Sequence, residues 1–146
     1  MWRKALIITT AALMIGCIAE IDSVATSVDP AGWYSGQPKS LAFTNDDTTA
    51  LNTMSLIVKY DKRLTNNSLR VKVKVNTPDS LTMTEEVKVA IPVRRGDVSR
   101  SMITVEPFRA HAQLPKMGTY HFEIEPTHPI FGVTGIGIEV RNEEQD

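Results

Sequence analysis

Residues 38–146 predict an all-β fold: a single antiparallel β-sandwich of seven or eight strands, immunoglobulin-like or jelly-roll. Three observations carry this. Apolar and polar residues alternate in six separate segments, turn-forming residues separate those segments, and no stretch beyond Cys17 sustains the period of an amphipathic helix. Alternation at every second residue sends one face of a strand into a core and the other into water. Two sheets packed face to face cover each other's apolar sides at this chain length.

The chain opens with Met1-Trp2-Arg3-Lys4 and runs uncharged from Ala5 to Gly16, the positive start and apolar run of an export signal. Counted on to Ala19 the uncharged run is 15 residues, short of the roughly 20 that a helix needs to cross a bilayer. It ends in Leu13-Met14-Ile15-Gly16-Cys17, which resembles the lipobox of bacterial lipoproteins. That resemblance implies cleavage after Gly16, acylation of Cys17 with palmitate-type chains, and anchoring of the protein to a lipid bilayer. A second acyl chain turns marginal membrane binding into stable anchoring. Cys17 is the only cysteine, so its acylation excludes disulfides, thiol catalysis and cysteine-bound metals together. Residues 1–16 are read as a lipoprotein signal peptide, 17–37 as the lipidated N-terminus and a tether, and 38–146 as the sandwich domain.

Loss of the signal removes Arg3 and Lys4 from the 16 basic residues, leaving 14 against 17 acidic ones and a net charge of −3. Nucleic acid is therefore not an expected partner, since it requires clustered Lys and Arg. Within residues 18–37, small and polar residues show no sustained period, which reads as a tether. Trp33 and Tyr34 are the exception. Two adjacent large aromatics either dock the tether on the domain or form a partner or glycan surface.

The strands follow in order. Leu41 and Phe43 alternate in SLAFT; Leu56, Val58 and Tyr60 in SLIVKY; Val71, Val73 and Val75 in VKVKV. Val87, Val89 and Ile91 alternate next, then Tyr120, Phe122 and Ile124, then Ile136, Ile138 and Val140. A weaker seventh segment spans 101–105. Between them stand turn residues: Asn45-Asp46-Asp47, Thr65-Asn66-Asn67-Ser68, Thr77-Pro78-Asp79-Ser80, Arg95-Gly96-Asp97 and Pro115-Lys116-Met117-Gly118. The stretch 98–113 reads as a long loop even after that strand is credited. Long connections are functional or packed over an open end, and Arg100, Phe108, Arg109 and His111 would suit a partner surface.

Chemistry is scarce. His121, Glu123 and Glu125 share one face of a strand opposite Tyr120, Phe122 and Ile124. Side chains in a straight row about 6.8 Å apart converge poorly on one ion, so these read as an exposed polar face. No nucleophile elbow, phosphate-binding glycine loop or paired-histidine zinc motif occurs in the sequence. No catalytic residue, metal or cofactor is expected.

Three strings resemble the gliding motility lipoprotein GldH family: Pro38-Lys39-Ser40-Leu41-Ala42-Phe43 leading to Asp47-Thr48, Gly118-Thr119-Tyr120-His121-Phe122-Glu123-Ile124-Glu125, and Phe131 to Val140 (FGVTGIGIEV). The resemblance implies an outer-membrane lipoprotein that supports gliding motility or a related envelope machinery through protein contacts, without catalysis. The alternative reading is a lipid-anchored glycan-binding sandwich built around Trp33 and Tyr34.

Overall fold

The computed structural model describes residues 21–92 and 101–143, and these form eight strands. The strands are β1 Ile21–Ser27, β2 Lys39–Asn45, β3 Leu51–Tyr60, β4 Ser68–Asn76, β5 Thr82–Ala90, β6 Met102–Gln113, β7 Gly118–Pro126 and β8 Val133–Asn142. All pairings are antiparallel: β1 with β8, β2 with β7, β3 with β6, and β4 with β5. That is the pairing of one long hairpin whose tip is the turn at 77–81. The hairpin then wraps, because β3 also pairs with β8 and β4 with β7. Two four-stranded sheets result, β1-β8-β3-β6 and β2-β7-β4-β5. This strand order is the jelly-roll arrangement, and it decides between the two topologies that the sequence left open.

The alternating positions do what their spacing predicts. Leu56, Val89, Phe122 and Ile124 are fully covered between the sheets, and each such side chain contributes about 1.5–3 kcal/mol of burial. Trp33, Tyr60, Tyr120, Leu69, Ile130, Ile136 and Ile138 are among the other largest buried side chains.

Two sequence expectations need correction. The tether was drawn through residue 37, yet Ile21–Ser27 pairs along its whole length with β8. Its pattern is weak because Val24 is its only large apolar residue beyond Ile21. Gly137 makes room for it: a Cβ there would lie 2.6 Å from the Val24 carbonyl oxygen. Residues 28–37 also belong to the domain, since Trp33 exchanges two backbone hydrogen bonds of 2.9 Å with Ile130. Its indole Nε1 donates to the Gln37 carbonyl at 2.8 Å.

The second correction concerns 98–113, expected as a loop with a short strand. From Met102 onward it is one 12-residue edge strand. Its pattern is hidden by Pro107, which an edge strand tolerates, and by two register shifts against β3 near Asn52 and Met54. Each shift inserts an extra residue into β6, which breaks the alternation. His111 sits in the first irregularity with φ 52°. Glu143, just beyond β8, clasps it: the His111 backbone N–H donates to Oε1 at 2.6 Å, Nδ1 lies 2.7 Å from Oε2, and Thr53 Oγ1 donates to Oε1 at 2.9 Å.

Polar side chains close the ends. Buried Asn45 donates from Nδ2 to the carbonyls of Leu114 and Lys116, both at 3.0 Å, tying β2 to the turn before β7. Asp47 Oδ1 accepts from the backbone N–H groups of Thr49 and Ala50 at 2.9 and 3.1 Å, so the predicted turn carries its own cap. At the other end Gly132 (φ 95°) lies against the backbone of Leu64, where an added Cβ would come within 2.2 Å of the Leu64 nitrogen. Only glycine fits both the left-handed backbone and that gap.

Gly132→Ala is accordingly expected to destabilise the domain by about 2 kcal/mol or more, read as a lower urea midpoint with an unchanged slope. Glu143 gives a pH signature. Hydrogen bonding, first from the His111 backbone N–H and also from Thr53 and the His111 ring, holds its pKa below the ordinary glutamate range. A depressed carboxylate pKa stabilises the folded state above the unfolded pKa, about 4.3, and that gain is lost as acid protonates the group. The protection factor of the His111 amide, its exchange rate relative to an unfolded chain at the same pH, should therefore fall as acid protonates Glu143 below the unfolded-state value of about 4.3, and Glu143→Gln should remove most of that pH dependence.

Candidate functional site

The outward faces of the two sheets differ in kind. On the β2-β7-β4-β5 sheet the outward row is charged and internally paired: Lys74 Nζ lies 3.6 Å from Glu123, and Arg70 lies 3.4 Å from Glu86. Of the residues first weighed as metal ligands, Glu123 is engaged by Lys74 and Glu125 accepts from the Gly36 backbone N–H at 2.8 Å. Among the described residues no group of three or more His, Cys, Asp or Glu is placed to hold a metal.

The outward face of the β1-β8-β3-β6 sheet is small and apolar across its middle. The register aligns Ala25 with Gly137, Gly137 with Ile57, and Ile57 with Val105, one outward residue from each of the four strands. The adjoining row is Ser27, Gly135, Lys59 and Ile103. Four strands at about 4.8 Å spacing make this patch roughly 14 Å wide. Ile103 is 64% exposed and Val105 45%. Gly135 forms the floor of a shallow hollow of about 340 Å³, edged by Ala25, Ile57, Lys59 and Ile103.

A bulge shapes the hollow's end. Between Lys59 and Tyr60 the register of β8 skips Thr134, and the Thr134 hydroxyl is buried without a hydrogen-bond partner among the described residues. Such an unmatched group costs about 1–3 kcal/mol. Gly135, by contrast, is under no steric demand: a Cβ there would make only ordinary contacts, at 3.4 Å from Lys59 and 3.5 Å from the Thr26 carbonyl. Its lack of a side chain leaves the hollow open.

A second feature lies where the edge strands β5 and β6 face each other. Among the described residues they share no ladder, and between them opens a groove of about 330 Å³ lined by Met54, Val73, Val75, Met83 and Phe108. Arg109 Nη2 reaches Glu85 Oε2 at 2.7 Å and bridges the two edges.

The residues marked from sequence as a partner or ligand surface separate accordingly. Trp33 is buried (2% exposed) and serves the core, so its ring offers no platform. Tyr34 is exposed and stands edge-on to Phe131, ring centroids 6.0 Å apart at 87°. Phe108 and Arg109 meet at the groove. Arg100, the Arg95-Gly96-Asp97 turn, Cys17 and the signal segment 1–16 lie outside the described residues. Sequence reasoning missed Ala25, Ile57, Ile103, Val105, Gly135 and Gly137 as one surface. Its only trace was the GIGIEV alternation, in which glycines occupy the outward positions.

Comparison with solved structures returns distant likenesses. Structures of infectious bursal disease virus, the Gx strain and the VP2 subviral particle, share 7% and 9% identity with TM-scores of 0.41 and 0.42. Each covers 86% of this chain, which spans about a third of the viral chains, 33% and 34%. The Yersinia pseudotuberculosis-derived mitogen shares 8% identity with a TM-score of 0.30, over 88% of this chain and 91% of its own. No curated protein matches the sequence. The family model described as GldH lipoprotein matches residues 21–140, from the first residue of β1 to the inward-facing Val140 of β8, and the chain belongs to that family.

Proposed function

We propose that the protein is a non-catalytic lipoprotein of the cell envelope, anchored by acylated Cys17 in the outer membrane, which supports gliding motility or an allied machinery by protein contact. Membership of a lipoprotein family supports the anchor, and the lipobox at Met14-Ile15-Gly16-Cys17 supplies the attachment point. The observation that carries the contact role is the smooth face of Ala25, Gly137, Ile57 and Val105 beside the hollow at Gly135. An exposed apolar patch rimmed by polar residues marks a protein interface more often than bare surface. The opposite face, charged along its outward row, makes a poor match for an apolar partner. A glycan platform would need the Trp33 ring, which is buried in the core.

Cys17→Ser is expected to abolish incorporation of labelled palmitate and to release the protein from sedimented membranes. Retained label would remove Cys17 as the anchor. A photo-crosslinking residue at Ile103 should yield an envelope-protein adduct in intact cells, whereas one at Lys74 should not. Gly135→Val should suppress that adduct with the melting temperature unchanged, because it fills the hollow from a position that admits a Cβ. Adducts of equal yield from both faces, or from neither, would overturn the contact surface.

A further inference from the structure

Strand register fixes which end of the sandwich lies nearest the anchor. β1 begins where β8 ends, Ile21 opposite Arg141, and Asn45 closes β2 opposite Gly118. The turns at 46–50, 77–81 and 114–117 therefore gather at the end where the described chain begins. The segments 28–38, 61–67 and 127–132 gather at the other.

Only three residues lie between Cys17 and Ile21, so four Cα–Cα steps join them. Fully extended, they span at most about 14 Å. With β1 hydrogen-bonded into the sheet from Ile21 onward, no long tether intervenes between an acylated Cys17 and the domain. This end must stay within about one short loop's length of the bilayer, while the far end stands roughly 30 Å further off, the length of a nine-residue strand.

The near end carries apolar side chains with no structural need to be exposed. Leu81, Met83 and Met117 are 62%, 58% and 61% exposed, the most open large apolar residues on the chain apart from Ile103 among those described. The turns that bear Leu81 and Met117 are neighbours, since a Cβ on Gly118 would touch Pro78 at 3.3 Å. The charges there do not favour attraction to anionic lipid. Asp46, Asp47, Asp79 and Glu143 outnumber Lys116 and Arg141, and Asp47, Asp79 and Glu143 already accept hydrogen bonds from Thr49, Thr77 and His111.

We propose that Leu81, Met83 and Met117 rest in the interfacial layer of the bilayer that holds the acyl chains, so that the sandwich stands on end with its strands near the membrane normal. The inference rests on acylation of Cys17. Contact is apolar and shallow, as in interfacial anchoring, and the acidic side chains predict that anionic lipid adds nothing to it. The smooth face at Ile57 and Val105 then looks sideways, parallel to the membrane plane, and the Tyr34–Phe131 pair points away from it.

The test uses the full acylated lipoprotein, in which an introduced cysteine is the only free thiol. Environment-sensitive fluorophores are placed by Leu81→Cys, Met117→Cys, Tyr34→Cys and Phe131→Cys, and each protein is reconstituted in phosphatidylcholine vesicles containing brominated lipid. Several-fold stronger quenching is expected at positions 81 and 117 than at 34 and 131, with no increase when phosphatidylglycerol replaces part of the phosphatidylcholine. Mass spectrometry of the N-terminal peptide reports acylation separately. A diacylated Cys17 with equal quenching at all four positions overturns the orientation and leaves the anchor standing. An unacylated Cys17 overturns the anchor and the orientation with it. As a second measure, Leu81→Asp with Met117→Asp should expose the near end to added protease in vesicle-bound protein while leaving acylation intact; unchanged protection would count against the contact.

Discussion

The insertion of β8 between β1 and β3 is the constraint on which the rest depends. It joins the two ends of the described chain in one ladder, Ile21 beside Arg141, and only then does the sheet have four strands. The remaining pairs nest inside that closure, as in a hairpin folded across itself. Because its partners lie far apart in sequence, this ladder repays its loop-closure entropy only when most of the chain is in place. Gly137 of β8 follows from the same constraint. Gly137 lets β1 approach closely, and no other side chain would leave room for the Val24 carbonyl.

The same closure separates two outer surfaces with different chemistry. On one sheet, outward Arg70 and Lys74 pair across strands with Glu86 and Glu123, exposed pairs of small energetic value. On the other, β1 and β8 contribute Ala25, Gly135 and Gly137 while β3 and β6 contribute Ile57, Val105 and Ile103. Gly137, forced by close strand packing, leaves a flat apolar area, and Gly135, under no such demand, leaves the hollow beside it. The clasp of Glu143 on His111 holds β6 in register against β3 at the near end of that sheet, keeping the irregular edge strand from fraying where the alternation fails.

Several parts of this were legible in the sequence for a plain reason. Alternation at Leu56, Val71, Phe122 and Ile138 reflects burial on one side of a strand, and burial is what those residue types report. Turn chemistry at Asp47 and Thr77 is equally local, since each side chain bonds backbone within four residues. β1 was not legible, because its small residues carry no pattern and its stability comes from β8. β6 was obscured by Pro107 and its two irregularities. For Trp33 the sequence leaves docking on the domain and a partner surface both open, because nothing local shows that Ile130 pairs with it.

By itself, then, the sequence determined the fold class, the inward face of six of the eight strands, the turn chemistry, and a lone cysteine in a lipobox-like setting. All of these depend on residues close together along the chain. Only the tertiary structure decided for the jelly-roll order over the immunoglobulin-like one, drew residues 21–37 into the domain, and set Ala25, Gly137, Ile57 and Val105 side by side. Those depend on register between strands far apart in sequence, which hydrogen-bonded ladders and the steric allowance of single glycines fix, and which no local pattern encodes.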